Sequence, residues 1–223
     1  GILKSWSGTA FEYLLPELFF RVYPNLLWDK TIDLMIETQI KYGEEKGTPW
    51  GISESGYNMR DVNFNYRYKA HGVPELKLQR DRYSEHVIAP YASIMAMEYA
   101  PQAVIKNMKK MKDNGAFGIY GFYEAVDFTK GREGVVKSYM AHHVGMAFAG
   151  CVNYLEKGII GNVFSDIPVF RSCELLLAEK SGKNYGDAKT EYGKDHVVIA
   201  GSKSDIKENT DSSDDYFVPI VSD

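Results

Sequence analysis

Cysteine is scarce in this 223-residue chain, which has only Cys151 and Cys173. Two thiols build neither a disulfide framework nor a zinc cluster, so they read as buried thiols of a reducing compartment. No apolar run approaches the ~18 residues of a membrane span. Basic charge is not in excess: 26 Lys and Arg stand against 30 Asp and Glu, for a net charge of −4. That balance excludes a protein whose main task is neutralising phosphates, and no nucleic-acid partner is expected. The first residues, Gly1-Ile2-Leu3-Lys4, have neither an initiating Met nor signal-peptide character, so the start reads as a processed end or a fragment boundary. Aromatic rings are abundant, with 16 Tyr, 11 Phe and 3 Trp. Tyr and Trp present a flat apolar face and a polar tip, which suits a carbohydrate cleft. A Tyr-rich core explains the same excess equally well.

The patterning is mostly helical. Residues 9–23 form an apolar stretch (Phe11, Leu14, Leu15, Leu18, Phe19, Val22) in which Pro16 marks a kink or a first turn. Asp29 is the expected N-cap of a helix over 30–46, with Ile32, Met35, Ile36 and Ile40 at helical spacing and Gly47 as its stop. Residues 48–87 lack a helical period and are too aromatic for disorder, so a functional loop is expected. Pro90 opens a helix over 91–99. Pro101 opens another, with Val104, Ile105, Met108 and Met111 as its stripe and Gly115 as its stop. A second Gly- and aromatic-rich loop spans 115–132. A long helix is expected over 135–156, its small residues permitting close packing, and Asp166 is expected to cap a last helix through Lys180. The acidic, polar residues 181–223 read as a mobile tail or linker, with one short strand at 196–200. The expected fold class is therefore all-α: about six helices carrying two long, carboxylate-bearing loops.

Glu54 is the first candidate for chemistry. It sits in Trp50-Gly51-Ile52-Ser53-Glu54-Ser55-Gly56. Glycoside cleavage needs a carboxylic acid to protonate the leaving oxygen and a second carboxylate as nucleophile or base. A neighbouring aromatic can stack on a sugar and exclude water from the carboxyl. The alternative is a loop glutamate that accepts backbone hydrogen bonds. Glu124 and Asp127 lie in the second loop, and only the fold can bring them near Glu54. Glu12, in an apolar stretch, is either a buried ion-pair partner or a site residue. Arg60-Asp61 is a local ion pair or a clamp for sugar hydroxyls. His142-His143 is a poor metal pair, because adjacent helical positions point about 100° apart and no His-Glu-x-x-His spacing accompanies them. No metal is expected, and two carboxylates need no cofactor. Gly51-Ile52-Ser53-Glu54-Ser55 lacks the last glycine of a nucleophile elbow. Gly115, Gly118 and Gly121 have the wrong spacing for a dinucleotide loop.

Several motifs occur together in order. They are Ser5-Trp6-Ser7-Gly8-Thr9, Phe11-Glu12-Tyr13-Leu14, Pro49-Trp50-Gly51-Ile52-Ser53-Glu54-Ser55, Ala70-His71-Gly72-Val73-Pro74, Ala89-Pro90-Tyr91-Ala92, Tyr120-Gly121-Phe122-Tyr123-Glu124-Ala125 and Ser138-Tyr139-Met140-Ala141-His142-His143. In this order they resemble the glycoamylase-like domain of cyclic β-1,2-glucan synthases, over about residues 3–180. The departures are Ala10, His71 and Val144, where the family is expected to carry a larger residue, Phe and Gln.

The resemblance implies part of an (α/α)6 toroid with long active-site loops. Residues 1–180 would be the C-terminal part of that domain and 181–223 the tail. Twelve helices would need roughly 360 residues, so an incomplete barrel is expected. The implied activity is retaining transglycosylation that cyclises linear β-1,2-glucan. A β-1,2-glucan hydrolase of the same fold is the alternative, and a non-catalytic glucan-binding fragment a third reading. Glu54 would be the general acid/base, with Glu124 and Glu12 as further catalytic candidates. Trp50, Tyr57, Arg60, Asp61, Tyr123, His142 and His143 would bind the glucan. The family's nucleophile would lie upstream of Ser5, outside this sequence. The implied partners are a β-1,2-linked glucan and the rest of a larger membrane-anchored synthase, or a complementary half-barrel. The implied location is cytoplasmic, on the cytosolic side of the inner membrane.

Overall fold

A computed structural model of the chain describes residues 2–20, 23–80 and 85–174. The expected tail over 181–223 and its strand lie outside them. Helix α1 (Ala10–Glu17) starts at a capping box. The Thr9 hydroxyl accepts the Glu12 N–H at 3.1 Å, and the Glu12 carboxylate accepts the Thr9 N–H at 3.1 Å. Two orphan donors are met reciprocally. The helix stops well short of residue 23. Pro16 sits in its last turn and has no N–H to extend the ladder. The chain tightens instead, with Leu18 and Phe19 bonding back three residues to Leu15 and Pro16.

Helix α2 (Leu27–Lys46) begins earlier than expected, with Leu26 rather than Asp29 at the N-cap. Asp29 works from inside the first turn, where its carboxylate accepts the Asn25 N–H at 2.8 Å. Gly47 ends the helix in the left-handed region (φ 67°, ψ 27°), the role expected of it.

The stretch after α2 is not loop alone. Strand β1 (Ser55–Arg60) and strand β2 (Tyr66–Lys69) form an antiparallel hairpin with an irregularity between Tyr57 and Arg60. A 3-10 turn (Pro74–Leu76) and β3 (Val87–Ile88) follow. Helix α3 (Pro90–Ile94) and helix α4 (Pro101–Asp113) are both opened by proline. On α4 the buried positions are Pro101, Val104, Asn107 and Met111, and Ile105 faces outward.

The second loop also carries strands: β4 (Phe117–Gly118), β5 (Gly121–Phe122), β6 (Ala125–Asp127) and β7 (Gly134–Val136). The order β3–β6–β7 makes a small antiparallel sheet. The all-α expectation is therefore corrected to a mostly helical fold with small sheets. Helix α5 (Ala141–Leu155) starts later than residue 135, because β-branched Val135 and Val136 pair with β6. Of its small residues, Gly150 meets α3 closely: a Cβ there would lie 3.0 Å from the Ile94 carbonyl oxygen. Asp166 is not the N-cap of the last helix but the C-cap of an unexpected α6 (Ile159–Ser165), and the expected last helix is α7 (Pro168–Glu174), with residues 175–180 outside the described ones.

Two buried amides fix the segment that leads to Glu54. Gln39 of α2 holds both backbone groups of Ile52, at 2.8 and 2.9 Å. Asn107 of α4 does the same for Trp50, at 2.7 and 3.0 Å. The N-terminal arm is laid against residues 73–79 by backbone bonds such as Ser5 to Leu76 and Val73 to Gly8. Gly72 is needed there, since a Cβ would stand 1.7 Å from the Ser7 carbonyl oxygen. Among the described residues no helix is long and apolar enough to cross a membrane.

A buried carboxylate joins α1 to the rest of the core. Glu17 accepts hydrogen bonds from the Trp28 indole and the Tyr99 hydroxyl. Burial pushes its carboxyl up to about 7, and burial together with the charge of Glu17 pushes Glu98 up to about 7.

Two outcomes are expected. Gly72→Ala should cost about 3 kcal/mol by overpacking the N-terminal arm, read as a lowered denaturant midpoint. Because the folded state raises the Glu17 value, its contribution is fully present below the ordinary glutamate value of about 4.3 and is lost as pH rises toward 7. Urea melts from about pH 5 to about pH 8 should therefore show Glu17→Gln gaining stability relative to the wild type; a constant difference would refute the assignment.

Candidate functional site

Glu54 occupies a bend immediately before β1, half-buried. Its approach is rigid. Gly51 takes φ 125°, and a Cβ there would meet the Ala89 carbonyl oxygen at 2.9 Å, so a side chain is excluded on both counts. The Ala89 N–H donates to the Gly51 carbonyl at 2.9 Å. The Ser53 hydroxyl accepts the Phe11 N–H at 3.0 Å, tying α1 to this bend. The Tyr91 hydroxyl of α3 donates to the Glu54 carbonyl at 2.8 Å and lies 2.9 Å from the Ser53 hydroxyl.

The Glu54 side chain opens a line of four polar groups. The Tyr68 hydroxyl of β2 donates to Glu54 Oε2 at 3.2 Å and lies 3.3 Å from His143 Nε2. His143 Nδ1 lies 3.0 Å from both Glu124 oxygens. Glu124 Oε1 also accepts the Gly56 N–H at 2.9 Å. The Glu124 and His143 side chains are 1% and 3% exposed, so the Glu124 carboxylate is met by the imidazole rather than by water. The Tyr91 ring stacks on His143, with centroids 3.8 Å apart and planes at 12°. Burial, reinforced by the Glu54 charge, raises the Tyr68 phenol, and burial raises that of Tyr91, so both remain donors. His142 is exposed, its ring 4.1 Å from that of His143. Burial and then the charge of His143 lower its value.

The fold thus brings Glu54, Glu124, His142 and His143 together across long stretches of sequence. Tyr123 lines an adjacent groove of about 250 Å³, with Tyr91, Tyr120, Glu124, Tyr139 and His143 among its other walls. Tyr123 and Tyr139 sit 5.2 Å apart, centroid to centroid.

Other expected site residues are placed differently. Trp50 is buried in the core beside Asn107. Tyr57 is buried under the Arg132 guanidinium, 4.6 Å from its centroid. Arg60 lies over the Tyr66 ring, and Asp61 accepts the Asn63 and Asn65 N–H groups in the hairpin turn. The Glu12 carboxylate accepts from Ser5, Ser7 and Thr9, a capping role; these bonds outweigh its burial and hold it below the ordinary glutamate value. Asp127 pairs with Arg132 at 3.0 Å, and Arg132 also reaches Glu85 at 3.0 Å. Among the described residues no group of three or more His, Cys, Asp or Glu is placed to hold a metal ion.

Tyr68 and Tyr91 both contact Glu54 and were not among the expected site residues. The Tyr66–Arg67–Tyr68 alternation, which sets the two tyrosines on one face of a strand, was the available signal for Tyr68.

The Glycoamylase family model matches residues 1–168. Over 190 residues, 82% of this chain, the sequence is 43% identical to cyclic β-(1,2)-glucan synthase NdvB of Rhizobium meliloti (strain 1021), of which the chain spans 7%. The fold is similar to that of an endo-β-1,2-glucanase from Chitinophaga pinensis, solved with sophorotriose and glucose. There the TM-score is 0.52 and the identity 22%, over 79% of this chain and 42% of that one. A β-1,2-glucanase from Parabacteroides distasonis gives a TM-score of 0.54 at 19% identity, over 77% of this chain and 24% of that one.

Removing the imidazole in His143→Ala should destabilise the fold by about 3–5 kcal/mol, because Glu124 would be left as a buried charge without its partner. Urea unfolding at neutral pH measures this, and a change below about 1 kcal/mol would contradict the pairing.

Proposed function

The chain belongs to the Glycoamylase family, and from that premise we propose that it acts on β-1,2-linked glucan by retaining transglycosylation, cutting a linear chain and closing it into a ring. The 43% identity with a cyclic β-(1,2)-glucan synthase carries this reading. In it Glu54 is the general acid/base. As acid it gives its proton to the leaving glycosidic oxygen, and as base it takes one from the incoming sugar hydroxyl. Its half-buried side chain, on a backbone clamped by Gln39, Asn107 and Tyr91, supports that role. Glu124 is buried behind His143, and its part is to support the acid/base rather than to attack the sugar. Glu12 caps α1. The nucleophilic carboxylate comes from another stretch of the assembled protein.

For binding, Tyr123 and His142 border the sugar path, with Arg60 and Asp61 on the hairpin beside it. Trp50 and Tyr57 shape that surface from beneath.

Residues 1–180 form part of an (α/α)6 toroid in this reading, with 181–223 as a tail. The exposed apolar residues of α5 to α7 (Val144, Phe148, Leu155, Val163 and Val169) would pack against the rest of a membrane-anchored synthase or a complementary half-barrel. The catalytic domain would then work on the cytosolic side of that membrane.

A second reading is hydrolysis, with water in place of the sugar hydroxyl. The fold similarity to two β-1,2-glucanases favours it.

Incubation of the assembled protein, this chain together with the stretch that supplies the nucleophile, with linear β-1,2-glucan, followed by mass spectrometry, separates the readings. A product one water lighter than its linear counterpart is expected. Shorter linear chains would favour hydrolysis, and unchanged substrate with retained binding a non-catalytic glucan-binding role. Glu54→Gln should reduce turnover at least about 100-fold while glucan still binds. Undiminished turnover would remove Glu54 from the mechanism.

A further inference from the structure

We propose that Tyr68 and His143 form a proton link between the half-buried Glu54 and the buried Glu124, so that Glu54 exchanges its proton with the His143–Glu124 pair through the Tyr68 hydroxyl. Tyr68, His143 and Glu124 are positioning residues in this scheme. Their part in catalysis rests on the reading of Glu54 as acid/base, whereas the link itself does not.

Hydrogen counting supports the link. Glu124 is buried and already accepts the Gly56 N–H. It has no proton to offer His143 Nδ1 when ionised, so Nδ1 carries the hydrogen and donates to it. Nε2 is then left facing the Tyr68 hydroxyl at 3.3 Å, and that hydroxyl faces Glu54 Oε2 at 3.2 Å. A phenol has one hydrogen and can accept another. Two complete arrangements follow. With Glu54 protonated, Oε2–H donates to Tyr68 and Tyr68 donates to neutral Nε2. With Glu54 ionised, Nε2–H donates to Tyr68 and Tyr68 donates to Oε2.

Passing from the first to the second breaks the Glu54 O–H and Tyr68 O–H bonds. It forms a new Tyr68 O–H and an Nε2–H, leaving a carboxylate at one end and an imidazolium against Glu124 at the other. No charge is created or lost. The imidazolium is matched by the one carboxylate buried beside it.

The geometry confines this exchange to one line. Tyr91 covers a face of the His143 ring, and its own hydroxyl is engaged with the Glu54 carbonyl, so it stays outside the chain of hydrogens. Among the described residues, His142 on α5 lies beside His143, and Tyr123 and Tyr139 line the same groove as His143 and Glu124. The groups bearing on the link thus include Tyr68 from β2, Tyr91 from α3, Glu124 from the bend before β6, His142 from α5, and the groove tyrosines Tyr123 and Tyr139.

The test is a histidine side-chain NMR titration of the full chain, labelled with ¹⁵N-histidine, with the His143 signals assigned by their loss in His143→Gln. Glu54→Gln removes a negative charge and should move the His143 titration to lower pH by about one unit. In a Tyr68→Phe background the ring remains and only the linking hydroxyl is gone, so that shift should fall to well under half, leaving only the through-space effect of the charge. Tyr68 is 43% exposed, so the substitution is mild. Equal shifts in both backgrounds would show coupling through space alone and overturn the proposal, as would no shift in either.

The same variants, placed in the assembled protein and assayed for glucan turnover, test the reading it rests on. If the link is present but Glu54→Gln turns over normally, the link stands and the acid/base assignment falls. If both hold, Tyr68→Phe should displace the acidic limb of the pH profile of kcat/KM, which a purely structural tyrosine would leave in place.

Discussion

Glu124 is a carboxylate with almost no access to water, and its charge has to be met from within the protein. The Gly56 N–H and the His143 imidazole meet it. These partners come from the start of β1 and the first turn of α5, so one electrostatic requirement ties a hairpin, a loop and a helix together. Gly56 sits two residues after Glu54, and His143 touches Tyr68 on the paired strand. The position of the candidate acid/base therefore follows from how a buried charge is neutralised. A glycine at position 56 keeps this contact close, since a Cβ there would stand 3.3 Å from the Glu124 side chain.

The backbone around Glu54 is fixed by side chains from outside its own segment. Residues 49–54 have no ladder of regular secondary structure to satisfy their polar groups, and buried backbone donors and acceptors must be paired. Gln39 and Asn107 supply carboxamides, each of which donates and accepts at once, the pattern a strand partner would present. The Tyr91 hydroxyl completes the set. An irregular segment held by three helices keeps both the exposure of a loop and the precision of a scaffold.

Much of the local structure was legible in the sequence. The Gly47 stop, the proline starts at Pro90 and Pro101, and the apolar stripe of α2 depend on near neighbours and backbone preference, and they appear where expected. The start of α2 was not legible, because Asp29 bonds Asn25 from inside the helix. The short strands β3, β6 and β7 were missed because two- and three-residue strands carry no readable period; their partners lie up to forty positions away. Glu54 stood out by its motif, but the burial of Trp50 and Tyr57 did not. An aromatic suited to stacking on a sugar is equally suited to a core, and composition cannot tell the two apart.

The sequence by itself determined the mostly helical character, the two carboxylate-bearing segments and the family, because these rest on local propensity and on motifs written in contiguous residues. The tertiary structure alone decided which carboxylate faces outward and which is buried. Glu54 and Glu124 are the same residue type on similar glycine-rich segments, and they diverge because α5 places His143 over one and leaves the other beside an exposed tyrosine. That choice depends on packing that joins Gly56 to Glu124, 68 positions apart, and Tyr68 to His143, 75 apart, where a linear pattern carries no physical signal.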